Sequence, residues 1–139
     1  MQTGAQAAPI SKKMLWAGRI ISALPVLLMV FTGVFGLFKP AVAMAGFVHL
    51  GYPESVFLPI CIVEIACAII YAIPRTSVLG AILMTGYLGG ATATHVHAGE
   101  PFYLPVIVGV LVWGGLYLRD GRLGALVPLR TKTDQRPAG

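Results

Sequence analysis

Residues 55–96 read SVFLPICIVEIACAIIYAIPRTSVLGAILMTGYLGGATATHV, and this stretch decides the fold. It contains two apolar runs, about residues 55–73 and 77–96, which are separated only by Pro74, Arg75 and Thr76. Each run is close to the ~20 residues that an α-helix needs to cross ~30 Å of hydrocarbon. Because three residues can join them only as a tight turn, the stretch predicts an antiparallel hairpin of membrane-spanning helices.

Two further apolar runs lie on either side of this hairpin, at about residues 16–38 and 102–118. The chain is 57% hydrophobic and only 11% charged, against roughly 25% charged in a soluble domain. Backbone in hydrocarbon must satisfy its own hydrogen bonds, which favours helices. We therefore predict an all-α fold, a polytopic membrane four-helix bundle, forming a single domain over residues 1–139. The polar tails, residues 1–10 and 131–139, are predicted to be mobile.

The segment between the first and second spans is longer than the other connections. Pro40 can begin a helix, and Gly51–Tyr52–Pro53 can end it. We predict a short interfacial helix here, on the outer side of the membrane. Residues 39–54 can then form an ordered lid on the bundle or a gate over a pocket. A cleaved secretory signal is the competing interpretation of the first span, but its apolar run exceeds the usual ~7–15 residues.

The basic residues predict the orientation. In a four-pass layout nine of the ten Lys and Arg residues lie on one side and only Lys39 lies on the other. The positive-inside rule then predicts a multi-pass protein of the inner (cytoplasmic) membrane with both termini in the cytoplasm. Basic residues beside apolar spans indicate a lipid bilayer as partner and no nucleic acid. The nine are Lys12, Lys13, Arg19, Arg75, Arg119, Arg122, Arg130, Lys132 and Arg136.

Glu64 lies near the middle of the second span. A carboxyl group at this depth costs a few kcal/mol on insertion scales and normally faces the bundle interior or a cavity. It is either a structural group, hydrogen-bonded to a neighbouring helix, or the centre of a binding site for a lipophilic ligand. From helix periodicity and depth, the candidate ligand-binding residues are Glu64, Tyr87, Thr32, Trp113 and Tyr71.

Small residues form one row on the third span. Gly86, Gly90, Ala93 and His97 share a helix face, and Gly86 and Gly90 have the spacing that lets membrane helices approach closely. We predict that Gly86, Gly90 and Ala93 pack against another helix of the same chain, with dimerisation as the alternative.

Histidines follow at the end of this span. His95 and His97 point roughly 160° apart on a continuous helix, so they cannot hold one ion together. We predict no metal site and no resident cofactor. Cys61 and Cys67 lie six residues apart and do not form a redox motif. The polar residues predicted at the outer interface are His49, His95, His97, Glu100 and Lys39.

Three stretches resemble the DoxX-like family of small four-helix membrane proteins over most of residues 14–130. The resemblance rests on Glu64, on Pro74–Arg75 and on the Gly-Gly-Ala-Thr and Trp113–Arg119–Asp120 patterns in that order. The stretches are PICIVEI with AIPR, GYLGGATATHVHAGEP and PVIVGVLVWGGLYLRD. Some relatives are described as quinone-linked oxidoreductase subunits or as partners of redox enzymes.

The resemblance implies an integral membrane accessory subunit of a respiratory or redox complex, with a quinone as a conceivable ligand. It predicts no independent catalytic activity, and its partners would be a larger membrane complex or further copies of the chain. One alternative is a binder, transporter or enzyme for a quinone, an isoprenoid or a sterol-like molecule, centred on Glu64. A buried acid among four helices is also similar to the sterol-isomerase-like group, at the level of fold alone. The other alternative is a purely structural protein of a larger assembly.

Overall fold

The computed structural model describes residues 9–38 and 40–126. These residues form six α-helices and contain no strand. The predicted all-α class is therefore confirmed for the described part of the chain. The helices are α1 (Lys12–Phe38), α2 (Pro40–His49), α3 (Phe57–Ala72, preceded by a 3-10 turn at Glu54–Val56), α4 (Ser77–Ala98), α5 (Tyr103–Arg119) and α6 (Gly121–Leu126).

Three helical segments are long and apolar enough to cross a membrane: Lys12–Phe38, Glu54–Ala72 and Ser77–Ala98. The chain is thus a multi-pass membrane protein. Helix α5 is apolar but shorter, with 17 residues. At ~1.5 Å of rise per residue it extends over ~26 Å, close to the thickness of the hydrocarbon layer.

The four long helices pack as a ring. Helices α1 and α4 each pack against both α3 and α5. Side chains inside the ring are fully buried, whereas many large apolar side chains point outward. Leu27 is 65% exposed, Phe31 67% and Val110 67%. Such exposed apolar surface suits a bilayer, because lipid tails are as apolar as these side chains. The largest fully buried residues are Tyr71, Met84, Leu116, Val112 and Pro25.

The helices approach most closely where α3 turns into α4. A Cβ atom at Gly80 would overlap the backbone of Tyr71, and one at Gly115 would lie 2.8 Å from the Ser22 nitrogen. The Tyr71 hydroxyl donates to the Val112 carbonyl at 2.7 Å and is hydrogen-bonded to Ser22 Oγ at 3.0 Å. These contacts join α1, α3, α4 and α5 at one end of the ring.

At the opposite end, α3 lies close to α1 instead. A Cβ at Gly36 would lie 2.9 Å from the Cys61 sulfur. Helix α2 folds over this end, where the Phe47 ring lies 5.2 Å from the Phe57 ring and 5.5 Å from the Tyr52 ring. The short helix expected after Pro40 is therefore present, while its location at the membrane interface stays a prediction.

The predicted packing of the Gly86 row is wrong within the described part of the chain. A Cβ at Gly86 or Gly90 would meet no atom within 4 Å, and Ala93 is exposed. The reason is that α4 buries a different row, which follows helical spacing on another side. That row contains Ser77, Gly80, Ala81, Met84 and Leu88. Dimerisation through the Gly86 row stays untested.

Several sequence predictions concern residues outside the described part of the chain. These are Lys39, Arg130, Lys132, Arg136, the tail at residues 131–139 and all of the N-terminal tail except Pro9 and Ile10.

The packing predicts opposite effects for two glycines of α4. Gly80→Leu should destabilise the protein strongly, because no leucine fits against the Tyr71 backbone and overpacking costs about 1–3 kcal/mol or more. Gly90→Leu is the matched control and should leave the melting temperature in detergent nearly unchanged. Equal losses of melting temperature in the two variants would contradict the packing described here.

Candidate functional site

Glu64 lies half-buried on α3 and contacts α1. Thr32 Oγ1 donates to Glu64 Oε1 at 2.6 Å, and the same hydroxyl lies 3.0 Å from the Leu28 carbonyl of its own helix. A hydroxyl has one proton and two acceptor lone pairs. Thr32 can therefore donate to the carboxylate, or it can donate to Leu28 and accept a proton from the neutral acid. The contact between Glu64 and Thr32 is compatible with both protonation states of the acid.

Tyr87 brings α4 to the same carboxyl group. Its hydroxyl lies near the Glu64 side chain, and Tyr87 packs against the buried core. Residues from three helices, Thr32 of α1, Glu64 of α3 and Tyr87 of α4, thus form one polar cluster. We name these three residues the acid cluster. Both partners that the sequence suggested for Glu64 lie beside it.

A cavity of 290 Å³ lies next to the acid cluster, between α3 and α4 and beneath α2. Tyr87 belongs to both the cavity wall and the acid cluster, whereas Glu64 is not part of the wall. The volume is near the lower end of small-molecule sites, which run from about 300 to 1,000 Å³. The wall consists of Phe47, Leu50, Tyr52, Ile60, Gly86, Tyr87, Gly90, Ala91, Thr94 and His95.

The two glycines of the unpacked row create this space. Gly86 and Gly90 line the cavity, and neither would bring a Cβ within 4 Å of another residue. Gly86 and Gly90 were predicted to let another helix pack closely against α4. They instead leave a gap beside α4, and α2 lies at one side of this gap.

Polar side chains fasten α2 and the turn after it to the end of α4. His49 Nε2 lies 3.0 Å from Glu100 Oε1, and the Tyr52 hydroxyl lies 2.6 Å from Thr94 Oγ1. The His95 ring nitrogen Nδ1 lies 2.7 Å from the Ala91 carbonyl, so this histidine binds its own helix. These contacts lie at the cavity end of the bundle.

The two neighbouring histidines lie on a continuous helix. Helix α4 continues to Ala98 and ends at Gly99, whose φ of 71° is left-handed. His95 and His97 therefore diverge, and His97 borders a separate shallow depression of 330 Å³. Within residues 9–38 and 40–126, no three His, Cys, Asp or Glu side chains are grouped to hold a metal ion. The expectation of a metal-free protein stays a prediction.

Two residues predicted near Glu64 lie elsewhere. Trp113 Nε1 donates to Thr85 Oγ1 at 2.8 Å, and the Trp113 ring lines an open apolar groove of 680 Å³ between α4 and α5. Tyr71 is fully buried at the other end of the bundle. Trp113 was placed near Glu64 from its depth in the membrane alone, and depth does not specify which way a side chain points around the helix axis. Tyr71 is on the same helix as Glu64 but lies seven residues, ~10 Å, further along it.

Most of the cavity wall could not be predicted from the sequence. Phe47, Leu50, Ile60 and Thr94 carry no polar or charged pattern that distinguishes them from other membrane-facing residues. Tyr52 had one detectable signal, an aromatic hydroxyl in the turn after the predicted interfacial helix. Its contact with Thr94 depends on how α2 folds back, which local sequence does not determine.

Comparison with known proteins places this site in a family. The model of the DoxX-like family matches residues 20–115, more than half of the chain, and this match contains the acid cluster and the whole cavity wall. No curated protein and no solved structure matches the chain. With its apolar helices and this match, the chain belongs to the DoxX-like family.

Proposed function

We propose that this four-pass protein binds a small lipophilic molecule in the cavity beneath α2, with the polar group of the ligand at the acid cluster. The observation that carries the proposal is the position of Tyr87, which lies near Glu64 and also lines the cavity. Ligand pockets in proteins typically combine an apolar wall with a few convergent polar groups. The volume of 290 Å³ suits one ring-sized head group, with any isoprenoid or alkyl tail left in the bilayer.

The acid cluster supports ligands that accept or exchange a proton. The Tyr87 hydroxyl can donate to a carbonyl or accept from a hydroxyl. Glu64 keeps its 2.6 Å contact with Thr32 whether it is ionised or neutral. Quinones, isoprenoid alcohols and sterol-like alcohols all carry such oxygen atoms on an apolar body.

Helix α2 offers a route into the cavity. It contains no fully buried residue, and the side chains of His49 and Glu100, which hold it to α4, are 67% and 41% exposed. Segments with few buried contacts open at low free energy. Movement of α2 would widen the cavity without disturbing the ring of four helices, which supports the gate proposed for residues 39–54.

A second candidate function is that of an accessory subunit of a redox complex in the cytoplasmic membrane. It is supported by the open groove between α4 and α5, where Gly89, Gly109 and Gly114 leave an apolar depression of 680 Å³. Small residues on a membrane-facing surface let a helix of another protein approach closely. A subunit that contributes one wall of a larger complex would use this groove and would not need the cavity.

Substitutions at the adjacent residues Gly89 and Gly90 can distinguish the two candidate functions. Gly90→Leu fills the cavity and Gly89→Leu fills the groove, and neither brings a Cβ within 4 Å of another residue. Native mass spectrometry with decylubiquinone, farnesol and cholesterol as probes should show binding that falls at least about tenfold in Gly90→Leu and is retained in Gly89→Leu. Co-purification of a redox subunit from native membranes that is lost only in Gly89→Leu would favour the accessory role. If neither variant changes either readout, a purely structural role is favoured.

Glu64→Gln tests whether the acid itself matters. The amide keeps the shape of the side chain and a hydrogen bond to Thr32, so the melting temperature should change little. Binding of the best of the three probes should weaken, since the amide can neither ionise nor act as a neutral acid. Undiminished binding in Glu64→Gln, together with misfolding of Glu64→Leu, would show that Glu64 is structural.

Cysteine labelling tests the four-pass topology. In the proposed layout Arg75 lies in the cytoplasmic turn between α3 and α4, and Glu54 lies on the outer side. The native Cys61 and Cys67 are buried. In intact cells a membrane-impermeant maleimide should label Glu54→Cys and should label Arg75→Cys only after permeabilisation. Labelling of both variants from outside would disprove the four-pass arrangement.

A further inference from the structure

A second cavity, of 160 Å³, lies at the end of the bundle opposite α2. It is formed where the first turns of α1, the α3–α4 turn and the last turn of α5 meet. This volume corresponds to about five water molecules at ~30 Å³ each. Its wall consists of Leu15, Arg19, Pro74, Ser77, Leu116, Arg119 and Asp120.

Arg119 is incompletely satisfied in this cavity. Its guanidinium carbon lies 4.9 Å from the centre of the Tyr71 ring, and its Nη2 donates to the Tyr71 carbonyl at 3.4 Å. Its Nε is buried and has no hydrogen-bond partner among residues 9–38 and 40–126. A buried donor on a charged group normally has an acceptor, so this side chain can take a further one.

Positive charge predominates in the wall. Arg19 and Arg119 contribute two guanidinium groups, and Asp120 contributes the single carboxylate. Asp120 Oδ1 accepts from the backbone nitrogen of Arg122 at 3.0 Å and so caps the first turn of α6. Among the residues described, no carboxylate oxygen lies within 4 Å of Arg19 or Arg119, since the ion pair at that distance is His49–Glu100 at the other end.

An exposed tryptophan beside Arg19 indicates that the cavity lies near the depth of lipid head groups. Trp16 is 61% exposed, and the Arg19 guanidinium carbon lies 5.7 Å from its ring centre. Exposed tryptophans in membrane proteins concentrate at the boundary between hydrocarbon and water. On α1 the exposed Ile20 and Leu24 continue from Arg19 into the hydrocarbon, and acyl chains could lie along them.

We infer that this cavity binds the phosphodiester group of an anionic glycerophospholipid. Guanidinium groups bind phosphate oxygens in paired, charge-assisted hydrogen bonds, and basic pockets between membrane helices are established head-group sites. Arg119 Nε supplies a fixed buried donor, and Arg19 closes over the group from the lipid side. The absence of a side-chain cap on α4, which begins at the cavity residue Ser77, leaves further backbone donors at this end.

Native mass spectrometry of the full chain in detergent tests the inference. The probes are phosphatidylglycerol, phosphatidylcholine with the same acyl chains, and inorganic phosphate. Phosphatidylglycerol should bind about tenfold more tightly than phosphatidylcholine, whose choline group would face the arginines. Arg19→Gln should weaken phosphatidylglycerol binding about tenfold. Arg19 makes no side-chain hydrogen bond to the described residues, so this variant should fold normally.

Arg75→Gln is the matched control. It removes the same charge at the same end of the bundle, but Arg75 is exposed and does not line the cavity. We expect at most about a fivefold loss from it, the size of general attraction to an anionic surface. Equal losses in the two variants, or equal binding of the two lipids by the wild-type chain, would overturn the inference. Displacement of the lipid by inorganic phosphate at similar concentration would assign the site to a soluble anion instead.

Discussion

Contact between Gly80 of α4 and the backbone of Tyr71 on α3 determines where the helices meet and where they separate. In hydrocarbon, helices associate through close packing, which glycine permits because it has no side chain. This contact fixes α3 to α4 beside their shared turn. At its other end α3 is held instead to α1, through Gly33 and Gly36. Helix α3 therefore leaves α4 toward that end, and the gap between them is the cavity.

The acid cluster depends on the same divergence. If α3 and α4 stayed in contact along their whole length, Tyr87 would not border an open space beside Glu64. A carboxyl group in hydrocarbon needs polar partners. Thr32 of α1 supplies a hydrogen bond, and the Tyr87 hydroxyl of α4 lies near the same group. Helix α2 then covers the gap and is fastened by His49 and Tyr52. The cavity beside the acid cluster thus lies where α3 packs against α1 and no longer closely against α4.

More of the fold than of the candidate site could be predicted from the sequence. The four apolar runs correspond to α1, α3, α4 and α5 within a few residues, because length and polarity are local properties. Thr32 and Tyr87 were found by counting depth along the helices. Trp113 was misplaced because depth does not specify direction around the helix axis. The position of α2 over the cavity could not be predicted, because it depends on contacts such as Tyr52–Thr94 between residues 42 positions apart.

Glycine has two opposite roles on α4, and a short sequence pattern does not distinguish them. Gly80 lies in the row that includes Ala81, Met84 and Leu88, all buried against neighbouring helices. Gly86 and Gly90 lie in a row without such buried partners, and there the missing side chains leave the cavity open. The discriminating property is whether large buried residues continue the row one and two turns away. On α4 the closely packed glycine, Gly80, belongs to the row that the bundle buries, whereas the Gly86–Gly90 pair belongs to a row that it leaves exposed.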